Sequence, residues 1–258
     1  MISAQQIKFI RSLQQKKYRD QHGLFVVEGE RIVHELLHSA LHVEILCAMP
    51  AWFDSVDDEL LAGTTCLRVS PAELSRISGL KSPNKVLAVA RQAASAMPGH
   101  FGSDELVLLL DDIRDPGNMG SILRTADWFG LRHVYCSREC VEVYNPKIIQ
   151  ASMGSFLRVR THYTDLYELM VSLKGRLRLY GSYMEGTDVL RNPLELPAAL
   201  VVGNEARGIS DRLGGLLDDR LAIPAHGGKR SGERAESLNA AMAAGIIISC
   251  FRRGAWKS

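Results

Sequence analysis

The chain has 258 residues, 46% of them apolar and 23% charged, which is enough material for one or two domains with a sizeable core. That composition excludes a disordered chain, a collagen and a disulfide scaffold, and no run reaches the roughly 20 apolar residues of a membrane span. Basic and acidic residues nearly cancel, 31 against 29, so bulk charge does not announce a nucleic-acid partner. The opening Met-Ile-Ser-Ala-Gln-Gln lacks the charged region and apolar stretch of a signal peptide. Five scattered cysteines (Cys47, Cys66, Cys136, Cys140, Cys250) suit reduced thiols, and together these features predict a cytoplasmic protein.

Residues 1–19 carry Lys8, Arg11, Lys16, Lys17 and Arg19 with no acid. They predict a basic helix over about 3–17 and make Lys16, Lys17 and Arg19 candidate phosphate contacts, against the plainer reading of a solvated face. A strand LFVVEG, a helix ERIVHELLHSA, a strand VEILCAM, a helical PAELSRIS and a strand KVLAVARQ follow. The alternation predicts a small α/β domain over residues 1–92. Residues 93–104, AASAMPGHFGSD, are small, polar and aperiodic, as in a linker. From residue 105 to 258, apolar runs recur as LVLLL, RHVYC, RLRLYG, ALVVG and RLAI with helical patterns between them. Continuous apolar strands alternating with helices predict a parallel sheet covered on both faces.

One string is a decoy. His34-Glu35-Leu36-Leu37-His38 has the spacing that can hold zinc on a helical face. The next histidine, His42, comes four residues on, whereas the extended zincin pattern needs six. Ile32, Val33, Leu36 and Leu37 give this helix an apolar packing face. Cys136 and Cys140 have no matching second pair, so no metal is expected.

Three loops share a character. Strand LVLLL leads through Pro116, Gly117, Asn118 and Gly120 into a helix. Strand ALVVG leads into Gly203-Asn204-Glu205 and Gly208, and strand RLAI leads through a glycine-rich basic loop into a helix of small residues. Ligands of parallel sheets bind beyond the carboxyl ends of the strands, where glycine lets backbone groups approach closely. Tight turns alone would explain any one loop, but three together point to one composite pocket. Neither a dinucleotide fingerprint nor a P-loop is present, so a nucleoside-like ligand held by backbone groups fits better than a pyrophosphate.

At these residues a family comes into view. Asn118-x-Gly120-x-x-x-Arg124-x-Ala126-x-x-Phe129-Gly130 resembles motif one of the SpoU (TrmH) branch of the SPOUT RNA methyltransferases. Gly203-Asn204-Glu205 with Gly208 resembles motif two, and Ile223-Pro224 followed by Ser237-Leu238-Asn239 resembles motif three. Phe25 to Glu30 is similar, over a shorter stretch, to the family's substrate-binding domain. The resemblance implies methyl transfer from S-adenosylmethionine to a ribose 2′-hydroxyl of ribosomal or transfer RNA. It also implies a homodimer and an α/β fold whose C-terminal parallel-sheet domain (105–258) is tied in a trefoil knot, beside a smaller N-terminal RNA-binding α/β domain. Knots are so rare that no periodicity argument would propose one.

Carried over by motif, Gly203, Asn204, Ile223, Ser237 and Leu238 are the expected cofactor-binding residues. Arg124, Asn118, Glu205 and Asn239 are the expected catalytic ones. A methyl sulfonium is already a strong electrophile, so the protein must mainly align the attack and manage one proton. Arg124 is always protonated and suits orienting a ribose and its phosphate, with a phosphate oxygen or water taking the proton. The twelve residues AHGGKRSGERAE after Pro224 exceed the length the resemblance implies. They place Lys229, Arg230 and Arg234 in either an RNA-contacting loop or a solvated insertion. The rival reading is a non-catalytic RNA-binding protein that retains the fold, with a zinc hydrolase a distant third.

Overall fold

The computed structural model describes residues 2–93, 101–225 and 237–253. The chain forms two compact units, Met1–Ala94 with Glu142–Leu157, and Ser95–Val141 with Arg158–Ser258.

The first unit starts at a capping box: Gln6 N donates to Ser3 Oγ at 3.2 Å, and Ser3 N donates to Gln6 Oε1 at 2.9 Å. This launches α1 (Ala4–Ser12), but the expected single basic helix is two, because α2 (Lys16–His22) begins after a turn. The Leu13 carbonyl accepts from Arg19 Nη1 at 2.8 Å instead of from a continued helix. Arg19 is only 2% exposed and its Nη2 pairs with Glu142. The assignment of Arg19 to an RNA-facing surface is therefore corrected: a guanidinium sealed in this way holds the fold and cannot meet a phosphate. Ile7, Ile10 and Leu13 bury the inner face of this segment.

Next come β1 (Leu24–Glu28), α3 (Glu30–Leu37), β2 (Val43–Ala48), α4 (Pro50–Phe53), β3 (Thr65–Arg68), α5 (Pro71–Ile77) and β4 (Val86–Arg91). The sheet order is β1-β4-β2-β3, with β4 antiparallel to both neighbours and β3 parallel to β2. Of the decoy histidines, His34 lies on α3 and His38 caps its C-terminus; their rings stack at 4.6 Å, and Glu35 pairs with Arg31 at 3.2 Å. Among the described residues, no group of three histidine, cysteine or acidic side chains is placed to hold a metal.

The second unit contains β5 (Leu106–Leu110), α6 (Pro116–Trp128) and β6 (His133–Cys136). The intervening segment Glu142–Leu157, with α7 (Pro146–Ser152), belongs to the first unit. There Tyr144 packs its ring on Phe25 at 4.3 Å, and Gln150 Nε2 donates to the Glu28 carbonyl at 2.8 Å. The chain resumes as β7 (Arg160–Tyr163), α8 (Leu166–Leu173), β8 (Arg178–Tyr183), β9 (Thr187–Asp188), β10 (Ala198–Val202), α9 (Asp211–Gly214), β11 (Asp219–Ala222) and α10 (Ala240–Arg252). These strands form a parallel sheet in the order β7-β6-β5-β10-β8-β11-β9. Both central strands, β5 and β10, are buried throughout, as their unbroken apolar sequences require. Helix α10 lies against α6, where a Cβ on Gly245 would sit 3.7 Å from Thr125. Among the described residues, no helix is long and apolar enough to cross a membrane.

Candidate active site

The loops after β5 and β10 leave the same edge of the sheet from adjacent strands, and two aspartates sew them together. Asp111 is buried and accepts from Ser210 N at 2.8 Å. Asp112 takes a left-handed backbone (φ 58°), which lets its carbonyl accept from Asn204 Nδ2 at 2.9 Å. The Asp112 carboxylate pairs with Arg114 at 2.6 Å and with Arg207. Asp115 then caps α6 by accepting from Asn118 N at 2.7 Å.

The loop after β10 is a closed turn. Asn204 and Gly208 exchange backbone hydrogen bonds of 3.1 and 2.8 Å. Asn204 Oδ1 accepts from Ala206 N at 3.0 Å and from Arg207 N at 3.2 Å. Gly203 is required by close approach: a Cβ there would lie 2.3 Å from the Gly208 carbonyl carbon and 2.4 Å from Ile209 N.

Three of the four expected catalytic residues meet. Asn118 Nδ2 donates to Glu205 Oε1, and Asn118 Oδ1 accepts from Asn239 Nδ2 at 2.6 Å. The partners stand 87 and 121 residues away in sequence, so a single asparagine in the first turn of α6 joins that helix to the turn after β10 and the start of α10. Asn239 Oδ1 in turn caps α10 by accepting from Ala241 N at 2.9 Å and Met242 N at 3.3 Å. The fourth residue, Arg124, stands apart. It lies on the exposed face of α6 with Gly117, Ser121 and Trp128, and among the described residues its guanidinium has no hydrogen-bond or ion-pair partner.

Of the remaining expected residues, Ile223 is half-buried just beyond β11, Ser237 is exposed, and Leu238 is 44% exposed. Lys16 is exposed and pairs with Asp20 at 2.7 Å, while Lys17 is exposed with its Nζ 5.9 Å from the Tyr18 ring. Lys229, Arg230 and Arg234 lie outside the described residues. Sequence reasoning missed Asp111, Asp112 and Arg207. The one available signal was the paired acids directly after an apolar strand, where the buried run has just ended and a carboxylate needs a reason to be.

Comparison with known proteins places this geometry in a wider group. The SpoU rRNA Methylase family matches residues 105–249, and the MRM3-like substrate binding domain matches residues 4–88. The 23S rRNA (guanosine(2553)-2'-O)-methyltransferase RlmP of Bacillus subtilis (strain 168) is 30% identical over 96% of this chain and 96% of its own length. Among solved structures, a TrmH-family protein from Porphyromonas gingivalis is 37% identical, with a TM-score of 0.86 over 98% of this chain and 99% of its own. The SpoU methyltransferase AviRb from Streptomyces viridochromogenes, crystallised with S-adenosylmethionine, is 25% identical with a TM-score of 0.83, covering 100% of both chains.

Proposed function

Because the chain belongs to the SpoU rRNA methylase family, we propose that it transfers a methyl group from S-adenosylmethionine to a ribose 2′-hydroxyl of ribosomal RNA. The observation that carries this reading is the Asn239–Asn118–Glu205 line, which draws residues from three separate stretches to one place at the carboxyl edge of a parallel sheet. A merely inherited fold has no need to keep three polar side chains trained on one another.

The residues present fit the cofactor. Leu238 is a large apolar side chain left 44% exposed, and it and half-buried Ile223 are the apolar side chains this reading offers to a purine. The turn at Gly203 and Asn204, closed by its own hydrogen bonds, presents fixed backbone groups, and exposed Ser237, two residues before Asn239, is the further polar ligand of this reading. When bound, S-adenosylmethionine supplies a methyl group already activated on sulfonium. The chain's own work is then to orient the ribose and manage its proton. Arg124, permanently charged and unpaired by the described residues, orients the ribose and its phosphate, so that a phosphate oxygen or a water can take the hydroxyl proton. Asn118 and Asn239 fix the hydroxyl as neutral donors and acceptors, and Glu205 holds Asn118 in place.

The finer organisation follows the same reading. Residues 1–92 bind RNA, partly through Lys16 and Lys17, with Lys229 and Arg230 as further phosphate ligands; residues 93–104 link them to the transferase domain over 105–258, whose Glu142–Leu157 segment clusters with the first unit. The C-terminal segment is knotted, a reading supported by family membership and by the return of α10 from β11 to α6. The enzyme is a cytoplasmic homodimer. Its pairing face is supported by Trp128 on α6, 79% exposed, and Met242 on α10, 60% exposed, since apolar surface of that size is costly to leave in water.

Titration calorimetry with S-adenosylmethionine tests the enzymatic reading. Binding is expected, whereas no heat at millimolar ligand would favour the rival, an RNA-binding protein that has kept only the fold.

A further inference from the structure

At the other end of the sheet, where β6 and β7 begin, the second unit holds a cavity of about 550 Å³ lined by Asp127, Gly130, Leu131, Arg132, His133, Arg158 and Arg160. Its charge is unbalanced: three arginines and a histidine face one carboxylate. That carboxylate, Asp127, is already engaged, with Arg158 Nη2 at 2.8 Å and Arg158 Nε at 2.9 Å. Arg132 and Arg160 are exposed, and among the described residues their guanidiniums have no hydrogen-bond or ion-pair partner. The fold nevertheless forces them together, because Arg160 N donates to the Arg132 carbonyl at 2.8 Å.

The parallel register places His133 beside Arg160, so both side chains leave the same face of the sheet. The His133 ring is anchored by its Nδ1, 2.9 Å from Nε2 of buried His162, and His162 stacks on Tyr135 at 4.8 Å. One edge of His133 is thus pinned inward on a rigid aromatic column, which fixes how the ring meets the cavity. Burial, and then the charges of Arg160 and Arg132, hold the His133 pKa below the ordinary histidine value, with Glu105 opposing. The imidazole therefore sits in a positive field.

We infer that this cavity is a phosphate site, and that its occupant is a backbone phosphate of the RNA, gripped at the edge of the transferase sheet opposite the Asn118 cluster. A phosphate matches the planar forks of Arg132 and Arg160, relieves their mutual repulsion, and favours a protonated His133 as a third donor. The cavity exceeds what one phosphate needs, leaving room for the attached sugar. With the Arg132 and Arg160 forks occupied by phosphate oxygens, the grip is on the backbone and is sequence-independent. The choice of RNA as occupant rests on the proposed function; the choice of phosphate does not.

The test therefore has two arms. First, inorganic phosphate is titrated into the protein while the His133 ring is followed by NMR, assigned with His133→Gln. Phosphate is expected to raise the His133 titration midpoint, and Arg132→Gln/Arg160→Gln is expected to abolish that rise. No response of His133 overturns the site. Second, binding of a fluorescein-labelled oligouridylate is measured against salt. The double Gln variant is expected to lower the slope of log K against log salt by about 0.7, the share of one single-stranded phosphate, and Arg132→Lys/Arg160→Lys is expected to keep it. Equal slopes in wild type and the double Gln variant overturn the RNA assignment. S-adenosylmethionine affinity, measured alongside, is expected to be equal in all variants, so failure of the methyltransferase reading shows there and not in these arms.

Discussion

Arg124 and Arg19 show how far environment decides what one arginine can do. Arg19 is sealed beside Glu142, whereas Arg124 is exposed and unpaired among the described residues. Arg124→Ala is expected to lower the rate of transfer by about 10²–10³, the usual effect of removing one transition-state interaction, while leaving S-adenosylmethionine affinity unchanged. Single-turnover kinetics beside calorimetry separates the two; a variant with impaired cofactor affinity and normal turnover at saturation would reassign Arg124 to the cofactor. Arg19→Met is expected to cost about 3 kcal/mol, since it strands a largely buried carboxylate. Burial raises the Glu142 pKa, and Arg19 pulls it back down. Without Arg19 the folded pKa rises further above the unfolded one, so the folded state holds the proton more tightly. Stability is then present at acid pH and lost as pH rises through the folded pKa. The deficit of Arg19→Met should therefore grow as pH rises through and above the ordinary carboxylate range, and Glu142→Gln in the same chain should flatten it. Denaturant melts across that range read the difference, and a deficit independent of pH would contradict the pairing.

What is legible at the scale of elements depends on burial. Strands β5 and β10 are buried on both faces, so their sequences are unbroken apolar runs and stand out. Strand β7, Arg160–Tyr163, pairs among the described residues only with β6 at the sheet's edge and is mostly polar, and β9 is two residues long; neither carries a pattern to find. The break between α1 and α2 is invisible in sequence because its cause, Arg19 reaching back to the Leu13 carbonyl, is a tertiary interaction. The antiparallel setting of β4 and the attachment of α7 to the first unit are of the same kind. At the site, the motif residues Asn118, Glu205 and Asn239 are legible by resemblance, but Asp112, which ties two loops through a left-handed backbone and two arginines, is not. The basic helices themselves remain accessible at Lys8, Arg11, Lys16 and Lys17. Replacing Lys16 and Lys17 by alanine should flatten the slope of log K against log salt for single-stranded RNA by about 0.7 for each phosphate no longer neutralised. An unchanged slope would show that this face is only solvated.

At the scale of the whole molecule, the apolar run of the C-terminal helix, read as sequence, invites a partner through Ile246, Ile247, Ile248 and Phe251. The chain itself buries Ile247, Ile248 and Phe251, leaving Ile246 half-buried, so that set makes no demand for a second copy. The proposed dimer rests instead on Trp128 and Met242, exposed on α6 and α10. Light scattering at micromolar protein should give twice the chain mass, and Trp128→Glu should give the single-chain mass with S-adenosylmethionine affinity still measurable. A monomeric wild type would remove the dimer. The chemistry proposed at the Asn118 cluster is open to a direct measurement. Ribosomal RNA transcribed in vitro, and so free of modification, can be incubated with the protein and methyl-deuterated S-adenosylmethionine, then digested to nucleosides for mass spectrometry. The label is expected on a 2′-O-methyl ribose and is expected to be absent with Arg124→Ala; label on a base, or RNA that binds and stays unlabelled, would overturn ribose methyl transfer at this site.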